Sequence, residues 1–363
     1  MPASPGWSSC ETGVWPDRAR AQIVIAMPLS PAILALNLAS LTQAALLVLA
    51  AGFAVQILRH WDLSSGSERQ LGLERRTYLI ATLVAWVFGA NLLSLLLFIY
   101  NAEQLSTQFV GAMCATGVLN ANAWGWPALF LKLALFFAGA IWLQVNWLDN
   151  QAPDYPLVRP KYALLMAIAP MSLAEAGVQV AFFKGLKPDL ITSCCGSLFG
   201  PDSGGVAAEL AGIDPALSLV VLYAAGLGLL GLGLYYRRRG GGGGLFALLG
   251  ALTFGVALIA IVSAVALYVY EHPHHHCPFC LLKGGHDYVG YGLYPPLLAA
   301  TALALGVGVM RIWRTRPSLK PVMALKTRRL AGLALALFGG FYAMATWLIL
   351  RSNLKLIDLG WGL

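Results

Sequence analysis

Long, uninterrupted apolar stretches are the feature that most constrains the fold of this chain. Each is roughly 20 residues long, the length that an α-helix needs to cross about 30 Å of hydrocarbon. The stretches are continuous and do not alternate in segments of about 10 residues, which argues against a membrane barrel. The sequence therefore predicts an all-α, polytopic membrane protein with eight transmembrane helices, at 30–58, 77–100, 127–147, 161–183, 214–236, 245–270, 293–312 and 329–350.

Composition excludes a soluble domain. The 363 residues are 58% hydrophobic and 11% charged, and the mean hydropathy is +0.71. Such a chain buries its apolar surface in a membrane, so lipid is an expected partner. The formal net charge of +8 raises the alternative of nucleic-acid binding. No basic stripe interleaved with stacking aromatic residues occurs in a soluble segment, so we expect no nucleic-acid partner.

The basic residues indicate how the helices are oriented. Sixteen of the 24 Lys and Arg residues lie in alternate loops, at 59–76, 148–162, 237–239 and 311–329. Seven lie in the tails and in the three opposite loops, at 101–126, 184–213 and 271–292. Lys132 lies within a span. Because basic residues concentrate on the cytoplasmic side, both termini are predicted to be external. The expected location is a cell inner membrane of a bacterium, with the opposite loops facing the periplasm.

Two parts of the chain are predicted to differ in organisation. Residues 1–29 form an external tail without a cleavable signal pattern, and an alternative is that translation begins at Met27. Residues 30–363 form a single transmembrane domain. The Arg and Gly run near 237–244 reads as a flexible connector that could join two four-helix halves.

Cysteine placement gives the strongest functional signal. We assign no role to Cys10, because it lies before Met27. Every other cysteine falls in one of the three predicted external loops, and together they are Cys114, Cys194, Cys195, Cys277 and Cys280. Thiols on the oxidising side of a bacterial inner membrane tend to be disulfides, metal ligands or redox catalysts.

The third external loop combines thiols with imidazoles. It contains the run His-Pro-His-His-His-Cys-Pro-Phe-Cys over 272–280, and His286 follows. Imidazole and thiolate together suit copper or zinc. The metal ligands predicted across all three loops are Cys114, Cys194, Cys195, Cys277, Cys280, His274, His275, His276 and His286.

Two short motifs resemble those of known membrane proteins. The vicinal pair Cys194-Cys195 is similar, over two residues, to the pairs of mercuric-ion transporters. The C-P-F-C segment, Cys277 to Cys280, resembles over about six residues the thiol–disulfide motifs of quinone-linked membrane disulfide oxidases, although eight spans depart from their four-helix bundle. In that reading Cys277 and Cys280 are catalytic, and a thiolate at a helix start would be stabilised by the helix dipole.

A few polar side chains interrupt the apolar spans. Glu175 lies in the fourth span and Asn91 in the second, both well away from the predicted ends. Intramembrane carboxylates are costly and often functional. We expect one of three roles for Glu175: a structural contact, a step in proton or ion transfer, or a contact with a cofactor. In the third case the cofactor would be a quinone, and Asn91 would contact it as well. Lys132 is predicted either to reach inward to Glu175 or to extend to the interface.

Three functions are compatible with these residues. In the first, the external loops converge on one Cys/His site that binds or transfers a soft metal, copper most readily, with a periplasmic metallochaperone as partner. In the second, the cysteines form a thiol–disulfide relay to a membrane quinone, served by a periplasmic redox partner. In the third, the chain is a non-catalytic subunit of a larger respiratory or assembly complex, and disulfides brace its loops. The sequence leaves open whether the chain is an enzyme.

Overall fold

A computed structural model describes residues 30–62, 65–108, 114–186, 209 and 211–355. This part of the chain is helical and contains no strand. Eight of its helices are long and apolar enough to span a membrane, as predicted. They are α1 Pro31–His60, α2 Glu68–Leu105, α4 Gly125–Asp149, α5 Val158–Lys184, α6 Pro215–Arg239, α7 Gly243–Tyr270, α8 Gly290–Met310 and α9 Lys320–Arg351; α3 is the short helix Ala115–Leu119.

Several helix starts follow directly from local sequence. Ser30 caps α1 and Asp214 caps α6, and in both helices a proline occupies the next position. The Asp214 carboxylate accepts the Leu217 amide at 2.8 Å. A proline at the first helical position loses no hydrogen bond, and a capping oxygen satisfies an amide that the helix leaves unpaired. These short polar signals therefore set where the apolar runs become helical.

The outward surface of the helices is apolar. Large side chains such as Trp86, Leu49 and Leu350 are exposed on the spanning helices. In water, contiguous apolar surface of this kind would drive association. Facing acyl chains it carries no such cost, so the exposed apolar side chains support the membrane assignment.

Helix contacts fall into two groups of four. The first contains α1, α2, α4 and α5, and the second contains α6, α7, α8 and α9. Helices α4 and α8 join the groups, and Gln144 of α4 donates to the Ala302 carbonyl of α8 at 2.9 Å. In the chain, the two groups are separated by the segment between α5 and α6, and the segment near 237–244 lies within the second group. Whether the halves are separate folding units stays a prediction.

The glycine-rich segment between α6 and α7 is shorter than expected. Helix α6 continues through Arg239, and α7 begins at Gly243, which leaves a turn of Gly240, Gly241 and Gly242. Gly240 and Gly242 have φ of 75° and 85°, a left-handed conformation that glycine adopts without the Cβ penalty. Within the described residues this connector is a tight turn of three glycines, and its flexibility stays a prediction.

Helix α7 contains a π-helical turn, Ile261–Val265, just before it reaches the third predicted external loop. Such a turn disrupts the regular hydrogen-bond ladder and often lies near functional sites. The Val262 carbonyl accepts a hydrogen bond from Nδ1 of His276 at 3.0 Å. This contact fixes the loop that carries the C-P-F-C segment against the end of α7.

Candidate metal centre

Three buried sulfur atoms meet where the loop after α2 contacts the loop between α7 and α8. The Sγ atoms of Cys114, Cys277 and Cys280 all lie within 4.8 Å of one another, and Cys114 and Cys277 approach to 3.1 Å. The three side chains are 0%, 0% and 5% exposed, respectively. Residues 163 positions apart in the chain therefore form one compact thiol cluster. The predicted convergence of the first and third loops is present.

A carboxylate holds the Cys114 side of the cluster. Cys114 precedes the short helix α3, and the Glu103 side chain accepts the Ala115 amide at 2.9 Å. The same carboxylate pairs with Lys283 at 3.1 Å. Glu103 thus ties the start of α3 to the segment that follows Cys280. A carboxylate near a helix N-terminus is favourably placed for its amides.

Two tyrosine hydroxyls hold the C-P-F-C backbone. Tyr270, at the end of α7, donates to the Cys277 carbonyl at 2.6 Å. Tyr294, in α8, donates to the Pro278 carbonyl at 2.7 Å. Because each hydroxyl comes from a packed helix, the loop carbonyls, and with them the Cys277 side chain, have a fixed position. Thr116 Oγ1 also lies 3.3 Å from Cys277 Sγ.

Aromatic and aliphatic side chains enclose the sulfurs. All three cysteines belong to an apolar cluster that includes Phe98, Phe182 and Phe279. Trp126 lies against Phe279, with ring centroids 6.3 Å apart, and donates its indole hydrogen to Asn120 at 3.0 Å. Trp126 thus makes a direct contact with the C-P-F-C loop. Enclosure of this kind limits the access of water to the thiols.

The sulfur spacing is compatible with metal binding. Three thiolates each about 2.3 Å from one ion would lie about 4 Å apart, and the observed spread of up to 4.8 Å requires only small side-chain adjustments. The contact of 3.1 Å between Cys114 and Cys277 is longer than the roughly 2.05 Å of a disulfide bond. The three thiols could hold one metal ion, and two of them are near enough to be oxidised to a disulfide.

The four predicted histidine ligands differ in how deeply they are buried. His276 is buried, His275 and His286 are half-buried, and His274 is exposed. Tyr270 stacks on His275 with ring centroids 4.1 Å apart and meets His286 edge-on at 4.5 Å. Within the described part of the chain, no histidine nitrogen joins the group formed by the three sulfurs. Metal ligation by these four histidines stays a prediction.

Burial shifts the protonation of the loop. Burial and, to a smaller extent, the neighbouring His286 lower the pKa of His275 to about 4. Burial also lowers the pKa of His276 and of His286. These imidazoles are therefore neutral at pH 7, which is the form that can bind a metal. Burial alone would lower the pKa of Lys283, but the Glu103 carboxylate outweighs it and raises that pKa, with smaller contributions from Cys280 and Cys114.

One local expectation about the C-P-F-C segment is wrong. No long helix begins at the motif: Cys280–Leu282 is a single 3₁₀ turn, and α8 begins only at Gly290. Three residues give only a small dipole, so helix-dipole stabilisation of a thiolate at this position is not supported. The vicinal pair Cys194 and Cys195 lies outside the described residues.

The polar residues of the spans form a separate centre within the first group of helices. Lys132 Nζ lies 2.7 Å from Glu175 Oε1, which confirms that the lysine reaches inward. Lys132 also donates to Ser94 at 2.9 Å, and Ser40 lies 3.4 Å from both charged groups. Asn91 donates to Gln43 at 3.3 Å. Glu175 is thus neutralised by a direct partner, and a cofactor contact of Glu175 or Asn91 stays a prediction.

Sequence reasoning missed the groups that position the thiols. No sequence motif marks these groups, which are Glu103, Thr116, Tyr270, Lys283 and Tyr294. Glu103 alone has a recognisable signal, because it is a carboxylate at the end of an apolar span. Comparisons with protein-family models, curated proteins and solved structures found no match to this chain. The functional assignment therefore depends on the chemistry of the thiol cluster in a multi-pass membrane protein.

Proposed function

We propose that this protein binds a soft metal ion, with copper(I) as the first candidate, at Cys114, Cys277 and Cys280. The convergence of three buried sulfurs from two distant loops is the observation that carries the proposal. A single buried cysteine is usually a small apolar residue. Three thiolates close together repel one another, and a cation bound between them removes that repulsion.

The donor set favours copper(I) over zinc. Thiolates are soft ligands that select copper(I) and zinc. Zinc sites in proteins are almost always four-coordinate, so zinc would need a ligand beyond the three sulfurs. Cys194 or Cys195 is the proposed source of such a ligand, and its recruitment would shift the preference towards zinc.

The proposed route to the site begins at the histidine-rich loop. His274 is exposed, while His275 and His286 are half-buried beside Tyr270. We propose that these imidazoles capture the ion, which then passes inward to the sulfurs. The charge asymmetry of the loops supports a periplasmic orientation for this end in an inner membrane. A periplasmic metallochaperone would be the natural donor or acceptor.

A copper(I) competition titration tests the proposal. The full chain is purified in detergent under reducing, oxygen-free conditions and titrated against a chromophoric copper(I) chelator, while total metal and thiols are quantified. We expect one tightly held ion per chain, bound at least about 100-fold more weakly by Cys277→Ser and with native affinity by the matched control Cys10→Ser. Equal binding by both variants, or no binding by the native chain with its thiols reduced, would refute the metal proposal.

A thiol–disulfide relay is the second candidate, and the contact of 3.1 Å between Cys114 and Cys277 favours it. Oxidation of these two thiols to a disulfide would release two electrons and two protons, and a quinone that accepts both becomes a quinol. Attack of the Cys280 thiolate on Cys277 would form a Cys277–Cys280 disulfide and release Cys114 as a thiolate. Two thiols of a partner would then reduce that disulfide, leaving Cys277 and Cys280 as thiols and the partner with a disulfide. Glu175 and Asn91 are the proposed quinone contacts. Stoichiometric quinone reduction by the reduced, metal-free protein would favour this function, and its absence would exclude it.

A further inference from the structure

A cavity of about 210 Å³ lies at the end of the second helix group where α6 gives way to α7. The glycine turn after α6, the start of α7, the segment after α8 and the first turns of α9 all contribute to its wall. Four of its lining residues are basic: Arg311, Arg314, Lys320 and Arg328. We call this the basic cavity.

No negatively charged side chain among the lining residues balances the positive charges of the basic cavity. None of its four basic side chains forms an ion pair with any carboxylate in the described ranges. The Nε atom of Arg328 is buried and has no hydrogen-bond partner among those residues. Leaving a buried donor of a charged group unsatisfied costs more free energy than leaving a neutral donor unsatisfied. An anion in the cavity would supply the missing acceptor.

Glycines allow the guanidinium groups to lie against the backbone. A Cβ atom at Gly240 would lie 3.0 Å from Nη2 of Arg328, and one at Gly244 would lie 3.0 Å from Nη1 of Arg311. Gly240 and Gly242 also have positive φ, which larger residues rarely adopt. The glycine turn therefore brings arginine side chains together with the start of α7.

The start of α7 adds backbone donors to the same wall. Its first residue, Gly243, lines the cavity, and no side chain caps the helix. The first amides of a helix have no acceptor within the helix, and together with the dipole they favour an anion. Guanidinium groups match a tetrahedral oxyanion through paired hydrogen bonds.

We propose that the basic cavity binds a phosphate-bearing anion. Two sources share this chemistry: the headgroup of an anionic phospholipid and a free phosphate compound. Large apolar side chains within two residues of the lining residues in sequence are exposed, namely Leu245 at 60%, Ile312 at 68% and Leu325 at 54%. They offer surface to acyl chains, and basic pockets between membrane helices commonly hold anionic headgroups.

Native mass spectrometry of the full chain tests this site. The protein is exchanged into phosphatidylglycerol or, separately, into phosphatidylcholine with the same acyl chains, and lipid retained after detergent washing is counted. A parallel sample receives inorganic phosphate without added lipid. The test variants are Arg328→Lys, which keeps charge but loses the forked donor, and Arg311→Gln with Arg328→Gln. The matched control is Arg75→Gln, an exposed arginine in the first turns of α2.

We expect one retained phosphatidylglycerol per chain, with affinity reduced at least about 10-fold in the double variant and less in Arg328→Lys. If no lipid is retained but phosphate binds, and that binding is weakened by the same arginine substitutions, the site would be assigned to a free anion. The site would be refuted by retention of neither ligand. Equal losses in Arg75→Gln and in the double variant would also refute it, because they would report general surface charge.

Discussion

Two buried polar centres in this membrane protein differ in the chemical groups that they bring together. The Lys132–Glu175 pair brings opposite charges to 2.7 Å, and serine hydroxyls from α1 and α2 complete its surroundings. The thiol cluster brings together three groups of the same kind, Cys114, Cys277 and Cys280. Opposite charges neutralise each other inside the fold. Three thiolates close together repel one another, and a bound metal cation would relieve that repulsion.

Because of this difference, we expect substitutions in the two centres to change different properties of the protein. Breaking an ion pair buried in lipid leaves one uncompensated charge, so its loss should appear mainly as lost stability. In the metal-free protein, removing one of the three clustered thiols leaves no buried charge behind. The substitution should therefore lower mainly the affinity for the metal. The predictions that follow separate these two outcomes.

The largest effect is expected at the ion pair. Lys132→Met leaves the Glu175 carboxylate buried without its cation, and we expect a loss of about 3–5 kcal/mol in the free energy of unfolding. Adding Glu175→Met should recover most of it, because the double variant buries no charge. Unfolding in detergent, followed by circular dichroism, measures both. A double variant as unstable as the single one would show that the pair is not self-contained.

A smaller effect on stability, but a large one on binding, is expected at the cluster. Cys280→Ser replaces one soft ligand with a poor one, and we expect copper(I) affinity to fall at least about 100-fold, since even outer groups contribute 10–100-fold. The free energy of unfolding without metal should stay within about 1 kcal/mol of the native value. Unchanged affinity would mean that Cys280 is not a ligand.

The groups that position the thiols should matter less than the sulfurs. Tyr270→Phe removes the hydrogen bond of 2.6 Å to the Cys277 carbonyl and keeps the ring that stacks on His275. We expect roughly a 10-fold loss of copper(I) affinity, as is typical of residues outside the ligand set. The copper(I) competition titration measures it. A loss as large as that of Cys280→Ser would place Tyr270 among the ligands.

The smallest effect is expected at Thr116, whose hydroxyl lies 3.3 Å from Cys277 Sγ. Thr116→Val keeps the shape of the side chain and removes one weak contact to sulfur. We expect affinity to change by no more than about 5-fold, within the range of a single net hydrogen bond. A change above 100-fold in the same titration would show that this hydroxyl is essential to the site.

The sequence predicts the helices and the meeting of the first and third loops, but not the geometry of the site. Hydropathy marks each span because lipid requires about 20 apolar residues, and topology places Cys114 and Cys277 on one face. The contact between Glu103 and Lys283 depends on how α2 packs against a loop 180 residues later, and no local pattern encodes it. The π-helical turn that exposes the Val262 carbonyl to His276 also has no recognised sequence signal.

The most direct test of the central claim is X-ray absorption spectroscopy of the native chain loaded with one equivalent of copper(I). The cluster predicts three sulfur neighbours around the metal and no nitrogen, a pattern reduced to two sulfurs in Cys277→Ser. A first shell dominated by histidine nitrogen, unchanged in that variant, would place the metal in the histidine-rich loop and contradict a three-thiolate site.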